Sequence, residues 1–328
     1  MKKNFICMYL FLLATLASCQ SCSSDYKDVD DIVVEGVETP VLLGDPFIML
    51  HDGTYYAYGT HADEGIEVYT SDDLQTWKYK GMALQKKDVW ADRWFWAPEV
   101  YEVNGKFYMY YSADEHICVA TADSPAGPFT QSKKEPMIAD EKCIDNSLFI
   151  DDDGTPYLYF VRFTDGNVIW VAEMNDDLTG IKQETLTECI KVGEPWELSQ
   201  DKPAKVAEGP SILKKEGVYY LVYSANHFES KNYGVGYATS NSPMGPWKKY
   251  EGNPILQHAD GLMGTGHGAP FCCKDGSWKY IFHAHWDSTK VQPRTSYIKD
   301  FAISDQGTVS IGGSLIRPQV LGSTSPEK

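Results

Sequence analysis

A short pattern returns five times along this chain, and a chain divided in this way can bury its apolar surface only by packing like units side by side. The copies open at Asp45-Pro46-Phe47-Ile48, Ala97-Pro98-Glu99-Val100, Asp145-Asn146-Ser147-Leu148-Phe149, Glu208-Gly209-Pro210-Ser211-Ile212 and Gly268-Ala269-Pro270-Phe271. Each runs into a glycine turn, at Gly53, Gly105, Gly154, Gly217 and Gly276, and then into an aromatic strand such as Tyr55-Tyr56-Ala57-Tyr58 or Tyr219-Tyr220-Leu221-Val222-Tyr223. By subtraction the turn glycines lie 52, 49, 63 and 59 residues apart. That is the period of a propeller blade rather than of a helical solenoid. The fold expected is all-β, a five-bladed β-propeller over residues 41–321. Kindred turns ending in Trp77, Phe129 and Trp247 close three of the blades, and these aromatic residues are expected as plugs between blades.

The first residues have a different character. Lys2 and Lys3 precede an apolar run from Phe5 to Leu16, followed by Leu16-Ala17-Ser18-Cys19. This reads as a secretory leader over residues 1–18, too short to span a bilayer as a permanent helix. Its end resembles a bacterial lipobox, with Cys19 as the lipidated first residue; simple cleavage near Ala17 is the alternative. Residues 19–40 are Ser-, Asp-, Glu- and Val-rich without period, as expected of a flexible acidic tether, and residues 322–328 form a short tail. The location implied is the cell envelope, with the membrane met only through the lipid on Cys19. The remaining cysteines match neither a zinc site nor a disulfide framework.

A formal net charge of −17 argues against nucleic acid as partner. With 21 Tyr and 9 Trp, aromatic content suits strands and also a surface that stacks on sugar rings. A monomer is expected.

In a propeller the innermost strand of each blade lines the central axis, so equivalent positions of different blades converge. Asp45, Asp145 and Glu208 open three of the five copies, and placing them at one repeat position brings three carboxylates to one end of the axis. Such a cluster is costly unless something uses it. Two carboxylates facing a sugar, with a third adjusting their proton affinities, is the apparatus of glycoside hydrolysis. One must be protonated to serve the leaving oxygen while its partner is ionised.

Asp45-Pro46, Trp96-Ala97-Pro98-Glu99-Val100, Ile144-Asp145-Asn146-Ser147-Leu148-Phe149 and Glu208-Gly209-Pro210, in that order, resemble glycoside hydrolase family 43 across residues 41–321. Asn146 stands where proline is more usual. The resemblance implies a five-bladed propeller and inverting action on arabinofuranosides, xylosides, arabinans or galactosides. It implies Asp45 as general base, Glu208 as general acid and Asp145 as the group that modulates the pKa of the acid and orients it. It also implies Trp96 as an apolar wall of the sugar pocket, packing between blades being the alternative, and Arg294 as a residue that reaches sugar hydroxyls and holds Asp45 ionised. Phe47 and Trp94 are placed on the sugar as well.

His267, flanked by glycines at the start of the fifth blade, is expected near the axis beside water or a water-bridged structural calcium; the chemistry itself requires no cofactor. A metal at His283 and His285, which alternate on one strand, is a further alternative. The partner expected is an oligosaccharide or polysaccharide. The leading expectation is an exo-acting α-L-arabinofuranosidase, with Trp90, Trp94 and Trp96 closing a groove into a pocket. β-Xylosidase, endo-xylanase, arabinanase and galactose-directed activities are alternatives, as is a lipoprotein that binds glycan without cutting it, against which the three acids argue. Asp45→Asn and Glu208→Gln are expected to relieve repulsion and so to leave stability unchanged or raised.

Overall fold

The aromatic strands are apolar on both sides, and the reason lies in what each side meets. In the computed structural model, which describes residues 38–321, every repeat folds into its own antiparallel sheet, and the five sheets form a ring, a five-bladed β-propeller. The innermost strands are Gly44–His51, Trp96–Val103, Cys143–Ile150, Ala207–Lys215 and Gly266–Cys272. Each lies against the next round the axis, and the fifth returns to the first. The leader, Cys19, residues 20–37 of the tether and the tail all lie outside the described residues.

The core is divided into five clusters, one at each junction between blades. Successive strand residues point to opposite faces, so Tyr55 and Ala57 pack toward the fifth blade while Tyr58 packs toward the second. Tyr220 and Val222 likewise face the fifth blade, and Leu221 and Tyr223 the third. A strand buried on both faces reads as a nearly continuous apolar run, which is what these segments show. The plugs behave similarly. Phe129 is fully buried between the first two blades, Trp77 is buried between the first and fifth, and Trp247 packs on Tyr159 of the third.

The hairpin turns explain the glycines. Asp52 and Gly53 have φ of 45° and 72°, the paired left-handed geometry whose twist matches the flanking strands, and a side chain on Gly53 would meet nothing within 4 Å. Conformation alone demands the glycine there.

The outer edge of the first blade is built from both ends of the described chain. Gln319–Leu321 runs parallel to Thr76–Gln85, and Glu38–Pro40 pairs in turn with Gln319–Leu321. The sheet thus begins three residues before the boundary drawn from sequence, and Glu38, Thr39 and Pro40 belong to the blade rather than to the tether.

Candidate active site

All five innermost strands carry a β-bulge near their start, and the residue at its centre has a left-handed backbone: Asp45 (φ 47°), Ala97 (44°), Asp145 (56°), Gly209 (56°) and His267 (38°). A bulge frees its amide from the ladder and re-aims its side chain, so the five amides need other acceptors. Four find them on the second strand of the preceding blade. Ala97 N–H donates to Thr60 Oγ1 (3.0 Å), Asp145 N–H to Ser112 Oγ (2.9 Å), His267 N–H to Ser224 Oγ (2.8 Å) and Asp45 N–H to His283 Nδ1 (3.0 Å). In the third blade the matching residue is Val161, which cannot accept, and the Gly209 amide donates to Asp145 Oδ2 instead, at 3.3 Å. The one break in the ring therefore ties Asp145 to the strand that carries Glu208.

This register corrects the alignment read from sequence. Asp45 and Asp145 are equivalent bulge residues, but the equivalent in the fourth blade is Gly209 and in the fifth His267. Glu208 stands one residue earlier, at the position of Gly44, Trp96, Ile144 and Gly266. The acids still converge, because a bulge turns successive side chains toward the same mouth. Asp45, Asp145 and Glu208 all line one cavity of about 550 Å³, together with Trp96, His267 and Arg294.

Asp45 is clamped. Arg294 donates to both of its oxygens, Nη1 to Oδ1 at 2.5 Å and Nη2 to Oδ2 at 2.9 Å, and Thr60 Oγ1 donates to Oδ2 at 2.7 Å. The guanidinium reaches this position because residue 44 has no side chain: a Cβ on Gly44 would lie 2.2 Å from Arg294 Cζ. Burial by itself would raise the Asp45 pKa. The charge of Arg294, with its hydrogen bonds to both oxygens, outweighs it and holds the carboxyl well below the usual carboxylate range. Asp45→Asn would thus leave a buried guanidinium without its counter-charge, so the stability expected for that variant is corrected to a loss.

Glu208 has neutral partners. Tyr233 donates to Oε1 and Asn167 Nδ2 to Oε2, each at 2.8 Å. Burial pushes its pKa up to about 7; those two bonds oppose the rise and the Asp45 charge adds to it. Asp145 is raised well above the usual range by burial, then by the charges of Glu208 and Asp45. The site thus pairs one firmly ionised carboxylate with two that tend to keep a proton, a division that serves acid and base chemistry together.

His267 stands between the groups, its Nδ1 3.2 Å from Asp45 Oδ1 and 3.8 Å from Asp145 Oδ2. Burial lowers its pKa and favours the neutral ring. Asp145, Glu208 and His267 place three ligand atoms within 4.8 Å of one another. Calcium takes six to eight oxygens. Two carboxylates and one imidazole fall short of that, and direct ligation would hold both acids ionised. The set does not fit a directly bound calcium. His283 and His285 are engaged elsewhere, His283 with the Asp45 amide and His285 with the Phe228 carbonyl.

The aromatic residues divide. Trp96 lines the cavity. Trp94 stacks on it at 5.7 Å with ring planes 12° apart, and Arg93 covers the exposed face of Trp94, so Trp94 backs the wall rather than forming it. Trp90 packs on the core between the first two blades. Phe47 is corrected: two residues past the bulge it lies further along the axis, against Tyr101 at 5.6 Å and bordering a separate void of about 10 Å³, away from the cavity.

Sequence reasoning passed over Thr60, Asn167, Tyr233, Gln292 and Phe228, the last lying beneath Arg294 at 5.2 Å, and read His283 only as a possible metal ligand. A signal existed for one group: the second strands of three repeats end in a small hydroxyl residue, Thr60, Ser112 and Ser224. None marked Asn167 or Tyr233.

Comparison with known proteins gives a consistent account. A curated β-D-galactofuranosidase of Aspergillus niger is 26% identical over 296 residues, covering 82% of each chain. An extracellular exo-α-(1→5)-L-arabinofuranosidase of Cellvibrio japonicus is 26% identical over 312 residues, covering 84% of each. A solved structure described as an endo-1,4-β-xylanase from Bacteroides thetaiotaomicron is 64% identical, with a TM-score of 0.84 over 87% of this chain and 99% of that one. The model of the family "Glycosyl hydrolases family 43" matches residues 38–309, the whole ring up to the last strand of the fifth blade, and the chain belongs to that family of glycosidases.

Proposed function

We propose that the protein hydrolyses pentosides of plant polysaccharide with inversion, and first among these terminal α-L-arabinofuranosides. The observation that carries this reading is the contrast between Asp45, held ionised by Arg294, and Glu208, which burial inclines to keep its proton near neutral pH. In this reading Asp45 takes a proton from the water that attacks the anomeric carbon, and Glu208 gives one to the departing oxygen. Asp145, held by the Gly209 amide, adjusts the acid. Trp96 supplies the apolar wall. The product of inversion requires room for water between the carboxyls, roughly 6.5–9.5 Å. Proton NMR of the first-formed sugar tests it: a retained anomer would reject the assignment of Asp45 as base.

A second reading, cleavage within a xylan backbone, draws support from the 64% identical structure described as an endo-1,4-β-xylanase. Aryl α-L-arabinofuranosides and β-xylosides, assayed beside arabinan and xylan, separate the two. Monosaccharide as the earliest product favours exo action, and oligosaccharides favour the backbone reading. Binding of oligosaccharide with no cleavage of any substrate would point to a glycan-binding protein.

We place the protein, as a monomer, at the cell envelope through a lipid on Cys19, which Cys19→Ala should release to the aqueous phase on detergent partition. Turnover needs no metal in this reading. A calcium bridged to His267 through water is tested by adding calcium to chelator-treated protein, where a raised Tm at unchanged kcat is expected.

A further inference from the structure

Both oxygens of Glu208 are held, but by groups in different places. Asn167, on Oε2, borders the cavity, whereas Tyr233, on Oε1, is fully buried. The Tyr233 ring is fixed on two sides. It stacks on His283 with centroids 5.6 Å apart and planes 18° from parallel, and on the other side a Cβ on Gly266 would lie 2.4 Å from its edge carbons. So confined, the hydroxyl has Glu208 as its one acceptor among the described residues. A proton on Oε1 would oppose the hydrogen that Tyr233 donates there, whereas a proton on Oε2 leaves Oε1 as a carbonyl acceptor and meets the half-buried Asn167, whose amide can turn to accept it through Oδ1.

We propose that Tyr233 is a positioning residue that ties Oε1 of Glu208 and so makes Oε2, on the cavity side, the oxygen that carries and delivers the catalytic proton. This rests on the reading of Glu208 as general acid. In the step itself the bond from anomeric carbon to leaving oxygen breaks. Its electron pair passes to that oxygen, which takes the proton from Oε2, while attacking water forms the new bond and gives its proton to Asp45. Acid help matters in proportion to how poor the leaving group is.

The experiment compares wild type, Tyr233→Phe and Glu208→Gln on two aryl glycosides of the sugar that wild type cleaves, one with a 2,4-dinitrophenyl and one with a 4-methoxyphenyl leaving group. For Tyr233→Phe, kcat on the methoxyphenyl substrate should fall about tenfold to a hundredfold, a fraction of a full general-acid contribution, and on the dinitrophenyl substrate by less than about threefold. The alkaline limb of kcat/KM should move to higher pH, since the lost bond favoured the carboxylate. Gly266→Ala, which displaces the ring while keeping the hydroxyl, should give the same split and serves if Tyr233→Phe folds poorly. Equal losses on both substrates, or none, with an unmoved pH limb would overturn the inference. If Glu208→Gln itself shows no dependence on leaving group, the acid assignment fails first. If Glu208→Gln shows the split and Tyr233→Phe does not, only the role of Tyr233 fails.

Discussion

Two of the places where the described residues bury carboxylates do so in opposite ways. Glu197, on the connection between the third and fourth blades, is fully buried and accepts hydrogen bonds from the amides of Gly193 (2.6 Å) and Glu194 (2.7 Å), from Tyr223 OH (2.7 Å) and from Lys249 Nζ (2.6 Å). Its charge is matched and its lone pairs are filled. At the axis, one arginine serves three carboxylates, and Glu208 has only neutral donors. A saturated carboxylate holds a loop in place; an under-matched cluster is a store of protons. The connection that Glu197 fastens carries Ala204, Lys205 and Val206 onto the cavity wall, so the first arrangement frames the second.

The largest expected effect breaks the axial side of this contrast. Asp45→Asn and Glu208→Gln should each lower kcat on an unactivated pentoside by about 10²- to 10⁴-fold, read by initial rates of sugar release. Either variant retaining full activity would remove that residue from the mechanism.

Stability should then separate the two regions. Glu197→Gln should lower unfolding free energy by about 3 kcal/mol, because it strands Lys249 against a neutral amide. Asp45→Asn should destabilise as well, by stranding Arg294. Glu208→Gln should do the reverse. Its folded pKa is raised, so the unfolded chain releases this proton first and wild type loses stability as pH rises from the unfolded carboxyl range to about 7. The Tm advantage of Glu208→Gln should therefore be absent near pH 4 and grow to its maximum near pH 7. A constant advantage across that range would contradict the raised pKa.

The smallest effect sharpens how the acids share their proton. Wild type should lose kcat/KM above about pH 7 as Glu208 ionises, while the acid limb lies below the ordinary carboxylate range because Asp45 is held ionised. Asp145 and Glu208 are both raised and share protons, so taking one titrating carboxyl out of the pair with Asp145→Asn should move the alkaline limb to lower pH. A pH–rate profile of that variant decides it, and an unmoved limb would mean that Asp145 does not modulate Glu208.

The fold was legible because its signals are local and repeated: a glycine where a turn needs positive φ, and an aromatic run where a strand is covered on both faces. The acids were legible as residues but not in register. Glu208-Gly209-Pro210 looks like Asp45-Pro46 shifted by one, and only the bulge shows that Gly209, not Glu208, matches Asp45. Phe47 was misplaced because adjacency in sequence says little about which way a side chain leaves a bulge. Asn167 and Tyr233 were invisible for another reason: they meet Glu208 across 41 and 25 residues, one from the first residue of a third strand and the other from just before one, where the other repeats carry other residue types.

The seam where Glu38–Pro40 lies on Gln319–Leu321 works as a clasp. Glu38 pairs with Leu321, and nearly every other residue of the ring lies between them in sequence. Bringing such distant segments together carries a large entropy of closure and must follow the assembly of the intervening blades. The first blade therefore waits, its outer edge bare, until Gln319–Leu321 leave the ribosome. For the same reason a protease that removes Gln319–Leu321 would unfasten the beginning of the sheet along with its end.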